Sequence, residues 1–201
     1  MSKNLLLEIG TEEMPANIMS GVVDQLRVLA ENAFGENRIS LKEITVYATP
    51  RRLAVLVKEA ADRQPDEEVK KRGPSIKAAF DEDGNPTRAA QGFARGQHID
   101  PSELIREGEY TWAHVVNEGK KIEDILPSLF TSLITGLNFT RSMRWADEEA
   151  RFIRPIRWIV ALCGSEVVPM EFAHVKSGRI SRGHRFLCKE DVTIESPETY
   201  K

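Results

Sequence analysis

The chain has 201 residues, with 28 Lys and Arg against 31 Asp and Glu, a net charge of −3 and a hydrophobic share of 41%. That length supports a real core in one large or two small domains, burying roughly 70% of the unfolded surface. The acidic balance excludes a generic polyanion binder, and no apolar run approaches the ~20 residues that a bilayer span needs.

The N-terminus lacks a signal-peptide layout, because Glu8, Glu12 and Glu13 arrive too early. Cys163 and Cys188 match no metal spacing and read as free thiols. A cytoplasmic protein without a membrane partner is the expectation. The run Asn4–Ile9 predicts a buried strand ending at Gly10. Thr11 then predicts a helix cap, with Glu12 and Glu13 near the positive end and Pro15 in the first turn. Ile18, Val22, Leu26, Leu29 and Ala33 recur at helical spacing up to Gly35. Ile44–Ala48 and Leu53–Val57 predict strands joined through Thr49-Pro50-Arg51-Arg52.

From Glu59 to Arg72 the chain is almost wholly charged and lacks apolar periodicity, so an exposed linker or solvated excursion is expected. Short helices are predicted around Ser75–Phe80 and Thr87–Arg95, separated by the turn Asp83-Gly84-Asn85-Pro86. Thr111–Asn117 predicts a strand, and Leu126 to Leu137 an amphipathic helix starting near Pro127. Alternating Ile156, Trp158, Val160 and Leu162 predict a β-hairpin with Val167–Phe172 through Gly164-Ser165, in preference to a short helix. Together these elements predict an α+β fold with mixed or antiparallel sheets and packed helices. The expected division is an α+β part over 1–58, a charged linker or excursion over 59–73, and a second α+β region over 74–201, either separate from the first or one continuous domain with it.

Chemistry is sparse. No glycine pattern forms a phosphate loop, Asp81 to Gly84 is a turn rather than a calcium loop, and the four histidines share no ligand spacing. The carboxylates Glu8, Glu12 and Glu13 fit helix-start electrostatics better than acid–base catalysis. No catalytic residue and no metal site is assigned. The exception is residues 141–185, where nine Lys or Arg face five acids and eight of the nine are arginine. Arginine favours planar, bidentate contact with phosphate or carboxylate. In an extended 151–158 segment, Arg151, Arg154 and Arg157 cannot share one face, because side chains alternate. Gly178 and Gly183 permit close backbone approach beside Arg179, Arg182, His184 and Arg185. On composition alone, recognition and simple pairing with nearby acids are level. Trp145, Trp158 and Phe186 read as core rather than stacking platforms.

Six blocks stand in one order: LLLEIGTEEMP (Leu5–Pro15), ATPRRLA (Ala48–Ala54), AFD with GNPT and GFAR (within 79–95), MRW (Met143–Trp145), RFIRPIRW (Arg151–Trp158), and SGR with RGHRF (within 177–186). This series resembles the N-terminal part of the β subunit of bacterial glycyl-tRNA synthetase of the α2β2 type, whose subunit is far longer. The resemblance implies a holoenzyme that joins glycine to its tRNA with ATP and magnesium bound by the α subunit, and no cofactor in this stretch. It implies a non-catalytic part supporting assembly with the α subunit and positioning of glycine tRNA. It also implies a fold like the B3/B4 module of the phenylalanyl-tRNA synthetase β subunit. That relation raises the alternative of an editing hydrolase for mischarged tRNA. Glycine has no smaller competitor, and a pocket without side-chain room excludes alanine, which weighs against editing. A purely structural interaction module is the other alternative. Arg51, Arg52, Arg144, Arg151, Arg154, Arg157, Arg179, Arg182 and Arg185 are the residues expected to contact tRNA or a partner.

Overall fold

A computed structural model describes residues 2–144, 151–183 and 190–200. The chain is α+β, as expected, and it folds as two compact units: Met1–Gln64 with Lys120–Lys201, and Pro65–Gly119.

In chain order, the first unit begins with β1 (Ser2–Thr11), α1 (Met19–Glu36), β2 (Glu43–Thr49) and β3 (Arg52–Ala61). The second unit holds β4 (Glu67–Ser75), the single turn α2 (Ile76–Ala79), α3 (Arg88–Gly96), β5 (Ile105–Glu107) and β6 (Tyr110–Asn117). The chain returns to the first unit with α4 (Ile122–Thr135), β7 (Met143–Arg144), β8 (Arg151–Phe152) and β9 (Ile156–Cys163). It closes with β10 (Glu166–Val167), β11 (Glu171–Phe172), β12 (Val175–Gly178), β13 (Ile180–Arg182) and β14 (Asp191–Thr193).

The main sheet runs β11-β12-β9-β1-β3-β2, with β10 folded back on β9. Among the described residues of this sheet, only β12 with β9 is parallel. Strand β1 is paired on both edges, to β3 and to β9, and its residues from Leu5 to Thr11 are all buried. A strand buried on both faces needs an apolar run rather than alternation, which is why Leu5, Leu6 and Leu7 stand in succession. Leu5, Leu7 and Ile9 join the larger core, with Val22, Leu26 and Phe34 of α1 and Leu126, Phe130 and Leu133 of α4. Leu6 joins a smaller core on the other face with Leu56, Trp158, Val160, Leu162 and Ile194. The β2–β3 hairpin matches the expected turn. Strand β9 turns back at Gly164, φ +57°, but only Glu166–Val167 of the return run form a ladder with β9, while Phe172 lies in β11 against β12.

The structure corrects several expectations. The first helix starts at Met19, and Thr11 belongs to β1, where it is fully buried. Helix α4 starts at Ile122 rather than near Pro127, because Ile122, Ile125 and Leu126 are drawn into the core; Pro127 lies inside the helix, where its missing N–H removes one backbone hydrogen bond. The charged stretch 59–72 is no linker. It holds the end of β3 and most of β4, an edge strand of the β4-β6-β5 sheet. Edge strands carry charge on their exposed positions, which erases the apolar alternation that would betray them. Of the two arrangements left open for 1–58 and 74–201, neither holds whole: residues 120–201 are continuous with the N-terminal part, and 65–119 form a unit of their own. Pairing of β1 with β9 binds the two ends of the sequence into one sheet, and the 65–119 unit is inserted between them in the chain.

In that inserted unit, Thr111 and Ala113 of β6 face inward, and Ala113 joins a small core with Ala79, Ala90, Ala94 and Leu104. Gly73 makes room for it, since a Cβ there would lie 2.5 Å from the Phe93 ring. The predicted turn is present: Gly84 has φ +82°, and the Asp81 carboxylate accepts from the Asn85 amide at 2.7 Å.

Cys163 is free, with 3% of its surface exposed, and burial pushes its thiol up to about 11. The thiolate is the reactive form, so alkylation of Cys163 at pH 8 should be on the order of 100-fold slower than for an open cysteine. Peptide mapping after iodoacetamide treatment, native against denatured, checks this and separates Cys163 from Cys188, which lies outside the described residues. No helix among the described residues is long and apolar enough to cross a membrane.

Candidate functional site

On the smaller-core face of the main sheet, alternation along β1 places Glu8 two residues from Leu6, where it is fully buried. A buried carboxylate is tolerated only when its oxygens are paired. Here Oε1 accepts from Trp158 Nε1 at 2.5 Å and from Ser181 Oγ at 2.5 Å. The other oxygen, Oε2, accepts from the Tyr200 hydroxyl and faces Arg52 Nη1 at 3.6 Å. These donors come from β9, β13, β3 and the C-terminal end of the described chain, so one side chain ties four segments together. Burial first, and then the Glu8 charge, push the Tyr200 phenol far above its usual range. The Tyr200 hydroxyl is the donor in its bond to Glu8.

A cavity of about 660 Å³ opens beside this network, bounded by Tyr47, Arg52, Arg182, Val192, Ile194 and Tyr200. Its wall mixes apolar side chains with two arginines. Both are engaged: Arg52 donates to the Arg182 carbonyl as well as facing Glu8, and Arg182 lies 5.5 Å from the Trp158 ring centroid and 4.0 Å from Asp191. Glu8 accepts two hydrogen bonds on Oε1 and one on Oε2, with the Arg52 guanidinium beside the remaining position, an arrangement that gives it a structural role.

The structure sorts the predicted arginines into three sets. Arg51, Arg52 and Arg182 converge on Trp158 and Glu8, with the Arg51 guanidinium 5.9 Å from the ring. Arg157 and Arg179 pair with acids, at 3.4 Å to Glu12 and 3.5 Å to Glu195, and Arg179 also donates to the Ser165 carbonyl at 2.9 Å. Exposed pairs of this kind contribute about 0–1 kcal/mol. Arg144, Arg151 and Arg154 form the third set. Arg144 and Arg151 stand directly opposite each other across the β7–β8 ladder, both exposed and neither with an acid partner among the described residues. Arg154 donates to the carbonyls of Glu13 and Ile153, each at 3.0 Å, and reaches Met143 Sδ at 3.7 Å. Arg185 lies outside the described residues, as do Trp145, His184 and Phe186.

Trp158 is core, 7% exposed, as its sequence context suggested. The Glu8–Glu12–Glu13 cluster does not exist: Glu8 is inside the sheet, and Glu12 pairs with Arg157. Sequence reasoning missed the Glu8, Ser181 and Tyr200 network. Its signal was a carboxylate between Leu7 and Ile9 in a strand too apolar to have a solvent face.

A family model described as glycyl-tRNA synthetase beta subunit matches residues 5–201. The glycine–tRNA ligase beta subunit of Desulfitobacterium hafniense is 50% identical over the whole chain, that of Natranaerobius thermophilus 46%, and that of Halothermothrix orenii 42%. The chain spans about 30% of the length of these relatives. With a match running from Leu5 to the last residue, and the predicted arginine blocks inside it, the chain belongs to the glycyl-tRNA synthetase beta subunit family.

Proposed function

We propose that this chain is the N-terminal part of a glycine–tRNA ligase β subunit and does no bond chemistry itself. It supports assembly with the α subunit in an α2β2 enzyme and positions glycine tRNA for ATP-dependent glycylation in the cytoplasm. ATP and magnesium belong to the α subunit in this reading, and the α+β architecture is compatible with a B3/B4-like module. Family membership supports the overall role. One observation carries the tRNA contact: Arg144 and Arg151 stand opposed, with no acid partner among the described residues. Like charges directly opposite in a ladder are destabilising, by up to about 1 kcal/mol. A phosphate between the two guanidiniums relieves that repulsion and accepts bidentate bonds from either.

The test is tRNA binding by assembled α and β subunits across a salt series, with and without Arg144→Glu and Arg151→Glu. Loss of two phosphate contacts should reduce the salt slope by about 1.8, taking ~0.9 per contact on duplex. Subunit assembly should be unchanged. Loss of α-subunit capture with an unchanged slope moves the pair to a protein interface, and no change in either measurement removes the assignment. Arg182 is the wrong place for this test, because charge reversal there disturbs the Trp158 stack and reports on folding.

A further inference from the structure

The inserted 65–119 unit has a sheet with one covered face and one open face. Along β6, Thr111 and Ala113 are fully buried while Tyr110, His114 and Val116 are exposed and Trp112 is half-buried. Helices α2 and α3 supply the cover on the inner side, through Ala79, Ala90 and Ala94. Register puts Arg72 of β4 and Ile105 of β5 opposite Trp112, and Lys70 opposite His114, all on the outer face. There the cations lie against the rings: Lys70 Nζ is 5.1 Å from the Trp112 centroid, and the Arg72 guanidinium is 4.8 Å from that of Tyr110.

We propose that this open face is a stacking platform for unpaired RNA bases. The proposal rests on the tRNA-positioning reading and adds to it a second, chemically distinct contact surface. Aromatic rings and guanidinium planes on an exposed sheet accept bases of any identity, because every base has a π-face. A face built to dock protein is apolar and depleted of charge at its centre. Here the centre is Trp112, Tyr110, Lys70 and Arg72, and the exposed aliphatic residues Ile105 and Val116 sit beside it. The run Lys70-Lys71-Arg72 places cations along edge strand β4, where a phosphate backbone can pass. Phosphate attraction is limited, since Glu107 pairs with Lys70 and Glu68 shares the face. Stacking therefore dominates, and the salt dependence is shallow.

The experiment is fluorescence anisotropy of the 201-residue chain with unstructured oligo(A) and oligo(U) of about ten nucleotides, within the site size usual for such surfaces. Binding should be tighter for oligo(A), with a salt slope below about 2, that is, no more than two or three single-strand phosphates. Trp112→Ala should weaken it by about 5- to 150-fold, the range for losing one stacked base, while Trp112→Phe retains most of the affinity. Tyr110→Ala, at an exposed position on the same face, should act in the same direction. Absence of oligonucleotide binding, or affinity unchanged in both alanine variants, overturns the platform. So does loss of α-subunit capture in Trp112→Ala with oligonucleotide binding intact, which would make the face a protein contact. Arg144→Glu with Arg151→Glu should leave oligonucleotide binding unaltered. If the oligonucleotide fails to bind while the tRNA salt slope still responds to that arginine pair, the platform is excluded and the tRNA-positioning reading stands.

Discussion

Replacing Glu8 by alanine is expected to lower the free energy of unfolding by roughly 3–5 kcal/mol, the usual loss when one partner of a buried ion pair is removed. The effect comes from what stays behind. An indole N–H, two hydroxyls and the Arg52 guanidinium lose their acceptor together, with Trp158 and Ser181 buried and Arg52 and Tyr200 bordering the cavity. Each orphaned donor costs about 1–3 kcal/mol, partly recovered where Arg52, which retains some exposure, rehydrates. For a chain of this size the melting temperature should fall by about 10 °C. Thermal melting and urea titration check the magnitude, and a double-mutant cycle checks the mechanism. If the orphaned Tyr200 hydroxyl contributes, Glu8→Ala should cost less in a Tyr200→Phe background than in the native one. Strict additivity, or an unchanged midpoint, would remove Glu8 from its place as the tie among β3, β9, β13 and the C-terminal segment.

Gly10→Ala should be comparably damaging, for a steric reason. Gly10 pairs with Trp158 across β1 and β9, and the indole lies over the glycine so closely that a Cβ would overlap its six-membered ring. The backbone at Gly10 has an ordinary negative φ, so conformational freedom is not the issue. Accommodating the methyl requires Trp158 to move, which costs its hydrogen bond to Glu8 and exposes an indole that is now buried. Overpacking costs typically about 1–3 kcal/mol, and losing the indole's bond to a charged acceptor adds about 1.5–3 kcal/mol. In a Trp158→Leu background the alanine should be nearly silent, because the ring it strikes is gone. An equal loss in both backgrounds, read by denaturant midpoint, would show that the glycine serves some other need.

Both predictions concern positions whose residue types are plain in the sequence and whose consequences are not. Strands with a strong local signature were legible: the apolar run of β1, the β2–β3 turn at Pro50, the Gly164 hairpin and the α1 periodicity all follow from nearest-neighbour chemistry. So was the α+β class, together with the burial of Trp158. Strand β4 was not legible. An edge strand needs only a thin apolar face, and Lys70, Lys71 and Arg72 filled the remaining positions with charge.

Local sequence determined the elements and concentrated arginine between 141 and 185, while the arginines' separate fates were decided by tertiary contacts alone. Arg52 and Arg182 lie 130 residues apart yet bond to each other. Arg157 and Arg179 found acids at Glu12 and Glu195. Arg144 met Arg151 because β7 and β8 pair in that register. A side chain's type sets what it can bind. Whether a cation is neutralised, buried or left facing its like depends on which distant strand the sheet brings beside it, and strand pairing over such separations leaves no periodic trace in the chain.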